Sequence, residues 1–177
     1  VAGVGLLLAK RRFVFGVWLL FLVPGVFVGV VLSWLSNRPP VSWIYGTNLV
    51  VWIALLIRYL GIGWSGARAA LQRTDRELRD AASLMGASQI QAFVKVCWPQ
   101  IRGHVLILAY VLFLFCIWDV ETGLLIVPPG GETAALKVFN LLHYGHNAQV
   151  DALCVIMICV AALPVIGFAL VSWARRL

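Results

Sequence analysis

The sequence predicts an all-α polytopic membrane protein with about four complete transmembrane helices, the tail of another, and a structured loop between the second and third spans. Of its 177 residues, 62% are hydrophobic and 12% are charged, and that charged fraction is about half of what a soluble domain carries. The apolar residues fall into long segments with few charges, and most of the basic residues lie in alternate connections between them. Such a chain cannot bury its apolar surface in one soluble core, so the lipid bilayer is its expected solvent.

Four segments are long enough to cross a hydrocarbon core about 30 Å thick, which requires about 20 apolar helical residues. They are residues 13–35, 43–64, 103–127 and 150–173. Pro24 and Pro164 fall inside two of these spans, which membrane helices tolerate because neighbouring groups satisfy the freed carbonyl. Val1–Ala9 is apolar but too short to cross, and we interpret it as the tail of a helix that begins before this sequence.

The basic residues predict which side each connection occupies. One side carries eleven of them, namely Lys10, Arg11, Arg12, six residues within 65–102, Arg175 and Arg176, whereas the other side carries Arg38 and Lys137. Loops rich in lysine and arginine remain in the cytoplasm, so the loop 65–102 is predicted to be cytoplasmic. This distribution accounts for the net charge of +7 without nucleic acid as a partner.

The cytoplasmic loop has the sequence signals of two short helices separated by a glycine. Thr74 followed by Glu77 forms a capping box, which predicts a helix from this point through Leu84, and Gly86 supplies the left-handed residue that ends it. Ser88 with Gln91 forms a second capping box.

The second helix of the loop is expected to run from Gln89 toward Val96. Pro99 is expected to interrupt the backbone hydrogen bonds before the next span. Apolar residues recur within this helix at helical spacing, which predicts one apolar face for a partner or for the bundle itself. These residues are Ile90, Phe93, Val94 and Cys97.

The loop resembles the EAA loop of type I ABC-importer permeases. The family pattern is Glu-Ala-Ala, three residues, Gly, nine residues and Ile-x-Leu-Pro. The same spacing occurs here in Asp80-Ala81-Ala82, Gly86 and Val96-Cys97-Trp98-Pro99. The departures are Asp80 for Glu, Val96 for Ile and the bulkier Trp98 for Leu.

The resemblance extends over nearly the whole chain, which is interpreted as the C-terminal part of one permease transmembrane domain, residues 1–177. Val23-Pro24-Gly25, the span carrying Asp119, and Pro128-Pro129-Gly130 with the following Glu132-Thr133 are similar to the family's corresponding segments. The run 139–145, Phe-Asn-Leu-Leu-His-Tyr-Gly, is similar to permeases for ferric iron and related small solutes.

The resemblance implies a set of partners and a role for the loop. In this family the two short helices couple the permease to a cytoplasmic ATPase subunit. The resemblance implies that role here for the residues that match the motif, Asp80, Ala81, Ala82, Gly86, Val96 and Pro99. A second permease unit and an extracytoplasmic solute-binding protein are the other implied partners, and the implied location is the cytoplasmic (inner) membrane. No G-x-x-x-x-G-K-[ST] motif occurs in the chain, so ATP hydrolysis is expected on a separate subunit. No cofactor is expected.

Charged residues within the spans are candidates for the translocation pathway, because a charge inside the bilayer is costly unless it has a function or a partner. Arg58 is predicted either to extend its guanidinium toward the inner interface or to face the pathway. Asp119 is predicted either to line the pathway or to pair with Arg58 or with a missing helix. Glu121, two residues further on, is expected to point elsewhere and to lie near the outer surface.

An amphipathic helix is predicted for residues 132–144 on the outer face, with an apolar stripe and with Gly145 as its C-cap. The stripe consists of Ala135, Val138, Phe139 and Leu142. His143 and His146 are three residues apart, but with Gly145 between them they would not share a helix face, so no metal site is predicted.

Two other functions fit parts of the sequence. An intramembrane enzyme would bring Asp119, Glu121 and the two histidines into one pocket, and no catalytic motif supports it. A structural membrane subunit would leave the pattern from Asp80 to Pro99 without an explanation.

Overall fold

The structure is a computed structural model that describes residues 15–39 and 41–174. The predicted helix tail at 1–9 and the basic residues at 10–12 and 175–176 lie outside the described residues. Among those described there are helices and turns but no strand. The helices are α1 (Phe15–Leu22), α2 (Gly25–Ser36), α3 (Leu49–Gln72), α4 (Arg76–Leu84), α5 (Gln89–Ala92), α6 (Trp98–Ile117), α7 (Ala134–His143) and α8 (Asn147–Ala174), with a π-helical turn, Phe93–Cys97, between α5 and α6.

The predicted fold class is confirmed. Three described helices are long and apolar enough to cross a membrane, Leu49–Gln72, Gln89–Ile117 and Asn147–Leu170, and α1 with α2 makes a fourth if the two count as one span. Many large apolar side chains on these helices are exposed, as expected where lipid rather than protein is the neighbour. The chain is therefore a multi-pass membrane protein.

The chain divides into two compact units, which are described separately. The first comprises the described residues up to Phe21 together with Tyr59–Leu112. It contains the loop 65–102, which is called the cytoplasmic loop after its predicted side. The second comprises Leu22–Arg58 and the described residues from Phe113 onward. The second unit has an apolar core formed by Val28, Leu32, Val50, Val51, Ala54 and Ile126.

The first predicted span, 13–35, is not one continuous helix. The helix is interrupted at residues 23–24, and α2 begins at Gly25 with Pro24 as its N-cap residue. Proline has no backbone N–H and disfavours helical geometry in the residue before it. The expected tolerance of Pro24 within a span is therefore wrong, whereas Pro164 does lie inside the continuous helix α8.

The second and third predicted spans have shifted bounds. Helix α3 begins at Leu49, six residues after the predicted start, and continues to Gln72, so residues 65–72 are helix rather than loop. Helix α6 ends at Ile117, and residues 118–127 form turns instead of the outer end of a span. Asp119 therefore lies beyond the end of α6 and not within a helix.

The outer helix is present but shorter than predicted. Helix α7 begins after Thr133, whose hydroxyl accepts the Leu136 N–H. Its last residue is His143 and its C-cap is Tyr144, so Gly145, with φ +77°, is the residue after the C-cap and not the C-cap itself. The His146 N–H donates to the Leu141 carbonyl, so Gly145 does end the helix, although it stands one position later in the capping motif than predicted. The predicted stripe is uneven, because Ala135 is buried whereas Phe139 and Leu142 are exposed.

Candidate functional site

The first helix of the cytoplasmic loop begins one residue later than predicted. Asp75, not Thr74, is the N-cap of α4, and its carboxylate accepts the Glu77 N–H at 2.9 Å. The Thr74 hydroxyl instead donates to the Leu71 carbonyl at 2.7 Å. Both residue types are good N-caps, and because α3 continues to Gln72, Thr74 is close enough to bond back to that helix.

Helix α4 ends in a hydrogen-bonded glycine turn, as predicted. Gly86 has φ +79°, the Gly86 N–H donates to the Ser83 carbonyl, and the Ala87 N–H donates to the Ala82 carbonyl, each at 3.0 Å. These two bonds define a Schellman motif. A side chain at Gly86 would meet no atom within 4 Å, so the requirement for glycine here comes from the backbone angle and not from crowding.

The second capping box is confirmed. The Ser88 hydroxyl accepts the Gln91 N–H at 3.3 Å, and the Gln91 side-chain oxygen accepts the Ser88 N–H at 3.0 Å. The backbone N–H groups of Ser88 and Gln91, which have no partner within α5, are thus each bonded to the other residue's side chain. The loop is therefore a helix, a left-handed glycine and a second helix, each joined by local hydrogen bonds.

Pro99 does not interrupt the second helix, contrary to the prediction. Residues 89–117 form one continuous helical segment, in which the π-helical turn at Phe93–Cys97 precedes the proline. Pro99 has no backbone N–H, so one hydrogen bond of a regular helix is missing at this point. The π-helical turn is wider than an α-helical turn, since the Trp98 N–H donates to the Phe93 carbonyl, and it lies where that bond is missing. The Gln100 side chain supports this region, since it donates to the Val96 carbonyl and accepts the Asp75 N–H, each at 2.9 Å.

The turn between the two loop helices exposes its apolar side chains. Leu84 and Met85, which immediately precede Gly86, are 90% and 89% exposed. The predicted motif residues are also accessible: Asp80, Ala81, Gly86 and Pro99 are exposed, and Ala82 and Val96 are half-buried. The sequence pattern did not indicate how far Leu84 and Met85 protrude.

The predicted apolar face of the second loop helix is divided between two environments. Cys97 is buried, whereas Ile90 and Val94 are exposed. The π-helical turn adds a residue to one turn and so rotates the positions after it relative to those before it. Ile90 and Val94 remain available to a partner.

In the second unit, Arg58 lies at the centre of a charge network. Its Nη1 donates to the Thr122 hydroxyl at 2.9 Å and lies 3.5 Å from the Asp119 carboxylate, and its Nη2 donates to the Glu121 carboxylate at 3.0 Å. The same Glu121 oxygen accepts the Gly25 N–H at 3.1 Å. Two carboxylates and a hydroxyl therefore hold the Arg58 guanidinium within this network.

Asp119 has the pairing role that was one of its two expected roles. Its side chain is 2% exposed, and its two oxygens accept the Thr122 N–H and hydroxyl at 2.9 and 2.8 Å. Glu121 does not point elsewhere, since it shares Arg58 with Asp119, although its side chain is 57% exposed. The prediction assumed a helix through this segment, and the turns that replace it bring both carboxylates to one guanidinium.

Gly25 has a role in this network that the sequence did not reveal. A Cβ at this position would overlap the Arg58 guanidinium and would lie 2.7 Å from the Thr122 hydroxyl. Glycine is therefore required for its small volume. Its N–H is at the start of a 12-residue helix, where the helix dipole also favours the Glu121 carboxylate.

The histidines do not join this network. His143 is stacked edge-on against Tyr144, with ring centroids 5.7 Å apart. Within the part of the chain that the structure describes, no group of three or more His, Cys, Asp or Glu side chains is placed to hold a metal ion.

The fold and the loop together define a class of protein: a multi-pass α-helical membrane protein with a helix–glycine–helix loop between two spans. No protein-family model matches the chain. The chain is 24% identical over 159 residues to the ferric transport system permease protein FbpB of Actinobacillus pleuropneumoniae, which covers 90% of this chain and 23% of that protein.

Two further relatives are also permeases. The putrescine transport system permease protein PotI of Escherichia coli (strain K12) is 23% identical over 128 residues, covering 71% of this chain and 43% of PotI. The putative 2-aminoethylphosphonate transport system permease protein PhnV of Salmonella typhimurium is 23% identical over 144 residues, covering 80% of this chain and 53% of PhnV. The chain thus spans between about a quarter and about half of the length of these relatives.

The resemblance predicted from the loop motif is confirmed by these comparisons: the chain is similar to permease subunits of ABC importers over most of its length. Because the relatives are permeases, the comparisons also support a transport component rather than an enzyme.

Proposed function

We propose that the protein is the membrane-spanning permease component of an ATP-binding-cassette importer in the cytoplasmic membrane, moving a small solute by alternating access. A separate cytoplasmic ATPase subunit supplies the energy, a second permease unit completes the pathway, and an extracytoplasmic solute-binding protein delivers the solute. The similarity to three transport-system permeases supports this proposal.

The observation that carries the proposal is the exposed turn of the cytoplasmic loop. Leu84 and Met85, which immediately precede Gly86, are about nine-tenths exposed, and exposed apolar clusters rimmed by polar residues mark protein-interaction sites. Asp80 is exposed near them and is available for a rim ion pair. In this proposal the ATPase subunit covers the turn, and movement of the ATPase displaces the attached helices.

We propose a small solute as cargo, with ferric iron as the first candidate. The similarity to a ferric transport system permease extends over 90% of the chain and supports that choice. The relatives named for putrescine and 2-aminoethylphosphonate transport show that one scaffold serves chemically different solutes, since function depends on the site and not on the fold.

Arg58 and Asp119 are proposed to lie beside the translocation pathway. Asp119 is nearly inaccessible, whereas Glu121 is 57% exposed and is bound to the same Arg58. A passing solute would therefore meet Glu121, and Asp119 would act through the position it gives Arg58.

The coupling role is tested by substitution of Gly86 in the complete complex. Valine is strained at a positive φ, at a cost of about 1–2 kcal/mol, so Gly86→Val should distort the turn and lower the amount of ATPase subunit retained on the purified permease about tenfold. Gly86→Asn should retain most of it, because asparagine tolerates the left-handed conformation.

Gly130→Val is the matched control. Gly130 has φ +80° and no neighbour within 4 Å, so valine there causes the same kind of backbone strain outside the loop. It should leave ATPase retention unchanged. Equal retention by the Gly86→Val variant and the control, with equal membrane insertion, would refute the coupling assignment.

An intramembrane enzyme is not favoured by the geometry. Asp119 and Glu121 are engaged by Arg58, Thr122 and Gly25, and the histidines stand apart from them. A purely structural subunit gives no reason for an exposed, locally capped loop.

A further inference from the structure

Two adjoining cavities lie beneath the cytoplasmic loop, both within the first unit. One has a volume of about 450 Å³ and is lined chiefly by apolar groups, among them Leu71, Ala92, Phe93 and Cys97. The other, of about 440 Å³, is lined by Arg68, Leu71, Gln72, Thr74, Arg79 and Asp80. Four residues line both cavities, namely Leu71, Thr74, Arg79 and Asp80. The second cavity has polar and apolar lining in nearly equal parts, and the first is mainly apolar although Ser83 and Gln89 also line it.

The second cavity carries unsatisfied positive charge. Arg68 and Arg79 are exposed and form no ion pair with any residue that the structure describes. Asp80 is the one acid among the six residues that line this cavity, so its formal charge is +1. That charge complements one phosphodiester group, and arginine guanidinium groups bind phosphate oxygens through paired hydrogen bonds.

The position of the second cavity along α3 agrees with the level of lipid headgroups. Trp64 is 48% exposed, and tryptophan rings prefer the membrane–water interface. Arg68 follows it by one helical turn, about 6 Å along the axis. Basic pockets beside transmembrane helices at the cytoplasmic surface are suited to anionic lipid headgroups.

We propose that these cavities bind one anionic phospholipid of the cytoplasmic leaflet. Arg68 and Arg79 bind the phosphodiester, while Gln72 and Thr74 are available for hydrogen bonds to the rest of the headgroup. One acyl chain enters the apolar cavity beside Leu71, Phe93 and Cys97. This inference does not depend on the transported solute or on coupling to an ATPase. The lipid would occupy the two cavities, and the turn at Gly86 would remain accessible.

The experiment measures lipid binding to the full-length protein in its complex. Thermal unfolding in detergent is followed while phosphatidylglycerol, phosphatidylcholine or glycerol 1-phosphate is added. A ligand that binds the folded state raises the melting temperature. Phosphatidylglycerol should raise it, and phosphatidylcholine and the soluble glycerol 1-phosphate should not.

Arg68→Gln should raise the half-saturating mole fraction of phosphatidylglycerol about fivefold. This factor corresponds to the binding free energy that one arginine contributes near an anionic lipid. Arg68→Lys, which keeps the charge, should stay near the wild type. Arg102→Gln removes an exposed charge from the same loop but does not line either cavity, and it should have no effect.

Three results would overturn the proposal. Equal effects of Arg68→Gln and Arg102→Gln would show that general surface charge attracts the lipid. Equal stabilisation by phosphatidylcholine would remove the selectivity for anionic headgroups. Saturation by glycerol 1-phosphate as effective as that by the lipid would identify the site as one for a free phosphate ester.

Discussion

Arg58 shows how a charge is kept inside a membrane protein without open access to water. Its guanidinium is bonded to Thr122 and Glu121 and paired with Asp119, while the nearest glycine leaves it the necessary space. The Asp119 carboxylate is itself satisfied by Thr122. Both terminal nitrogens of the Arg58 guanidinium and the Asp119 carboxylate thus have partners, the condition under which buried charges are tolerated.

The first prediction at this scale concerns the loss of Arg58. Arg58→Met should lower the free energy of unfolding by about 3–5 kcal/mol, because it leaves the buried Asp119 carboxylate without its cation. Thermal unfolding of the full-length protein in detergent would measure the change.

Two further variants locate the origin of that loss. Arg58→Met combined with Asp119→Asn should recover part of the stability, because the second substitution removes the uncompensated charge. Arg38→Met should cost less than about 1 kcal/mol, since Arg38 is an exposed residue whose recorded contact is with the Trp34 ring and exposed cation–π pairs are weak. A double variant no more stable than Arg58→Met would contradict the pairing argument.

At the scale of elements, the cytoplasmic loop has its conformation specified by its own residues. Asp75 caps the first helix, Gly86 terminates it, and Ser88 with Gln91 starts the second. Such bonds satisfy the backbone groups at helix ends that have no partner within the helix. The loop is therefore expected to hold this shape before a partner binds.

The capping box provides a prediction for this element. Ser88→Ala removes the hydroxyl that accepts the Gln91 N–H, and loss of an N-cap costs about 1 kcal/mol. Amide hydrogen exchange at residues 89–92 in the full-length protein should accelerate about fivefold. Ser83→Ala is the control, because the Ser83 hydroxyl donates to the Asp80 carbonyl within α4 and caps nothing. Equal acceleration in both variants would show that the cap does not fix the loop.

The sequence predicted these elements unevenly, for physical reasons. Glycine and capping signals act over three or four residues, so the turn at Gly86 and the box at Ser88 were correctly placed. Pro99 was misjudged because a π-helical turn can absorb a proline, and hydropathy does not report such turns. The apolar run to residue 127 was read as helix because Leu and Val fit a span and a buried turn equally well.

The same limits apply to the charge network. Arg58 and Asp119 were recognisable as unusual residues in apolar surroundings. Gly25 and Thr122 were not, because their importance comes from a contact between segments about 60 to 100 residues apart in sequence. Local patterns cannot specify such a contact.

At the scale of the whole molecule, the chain exposes large apolar surfaces on its long helices and one apolar turn on the side predicted to be cytoplasmic. Lipid explains the first, and the ATPase subunit of the proposed importer would cover the second. The chain also matches less than about two thirds of the length of its relatives. Its partners are therefore best sought with the full-length protein.

Purification of the full-length protein from its native cells in mild detergent is the corresponding test. An ATPase subunit and an extracytoplasmic solute-binding protein should co-purify, as identified by mass spectrometry. The ligand of that binding protein would identify the solute, with ferric iron expected first. Recovery of neither partner, under conditions that keep known transport complexes intact, would remove the support for an importer.

The continuous helix from Gln89 to Ile117 has a mechanical consequence. The loop helix that begins at the Ser88 cap joins the following span without a hinge, and 29 residues form a rod about 44 Å long. A displacement applied near Gly86 cannot be dissipated in a flexible joint, so it must appear as tilt or rotation of the rod. The π-helical turn at Phe93–Cys97 lies within this rod and does not interrupt it.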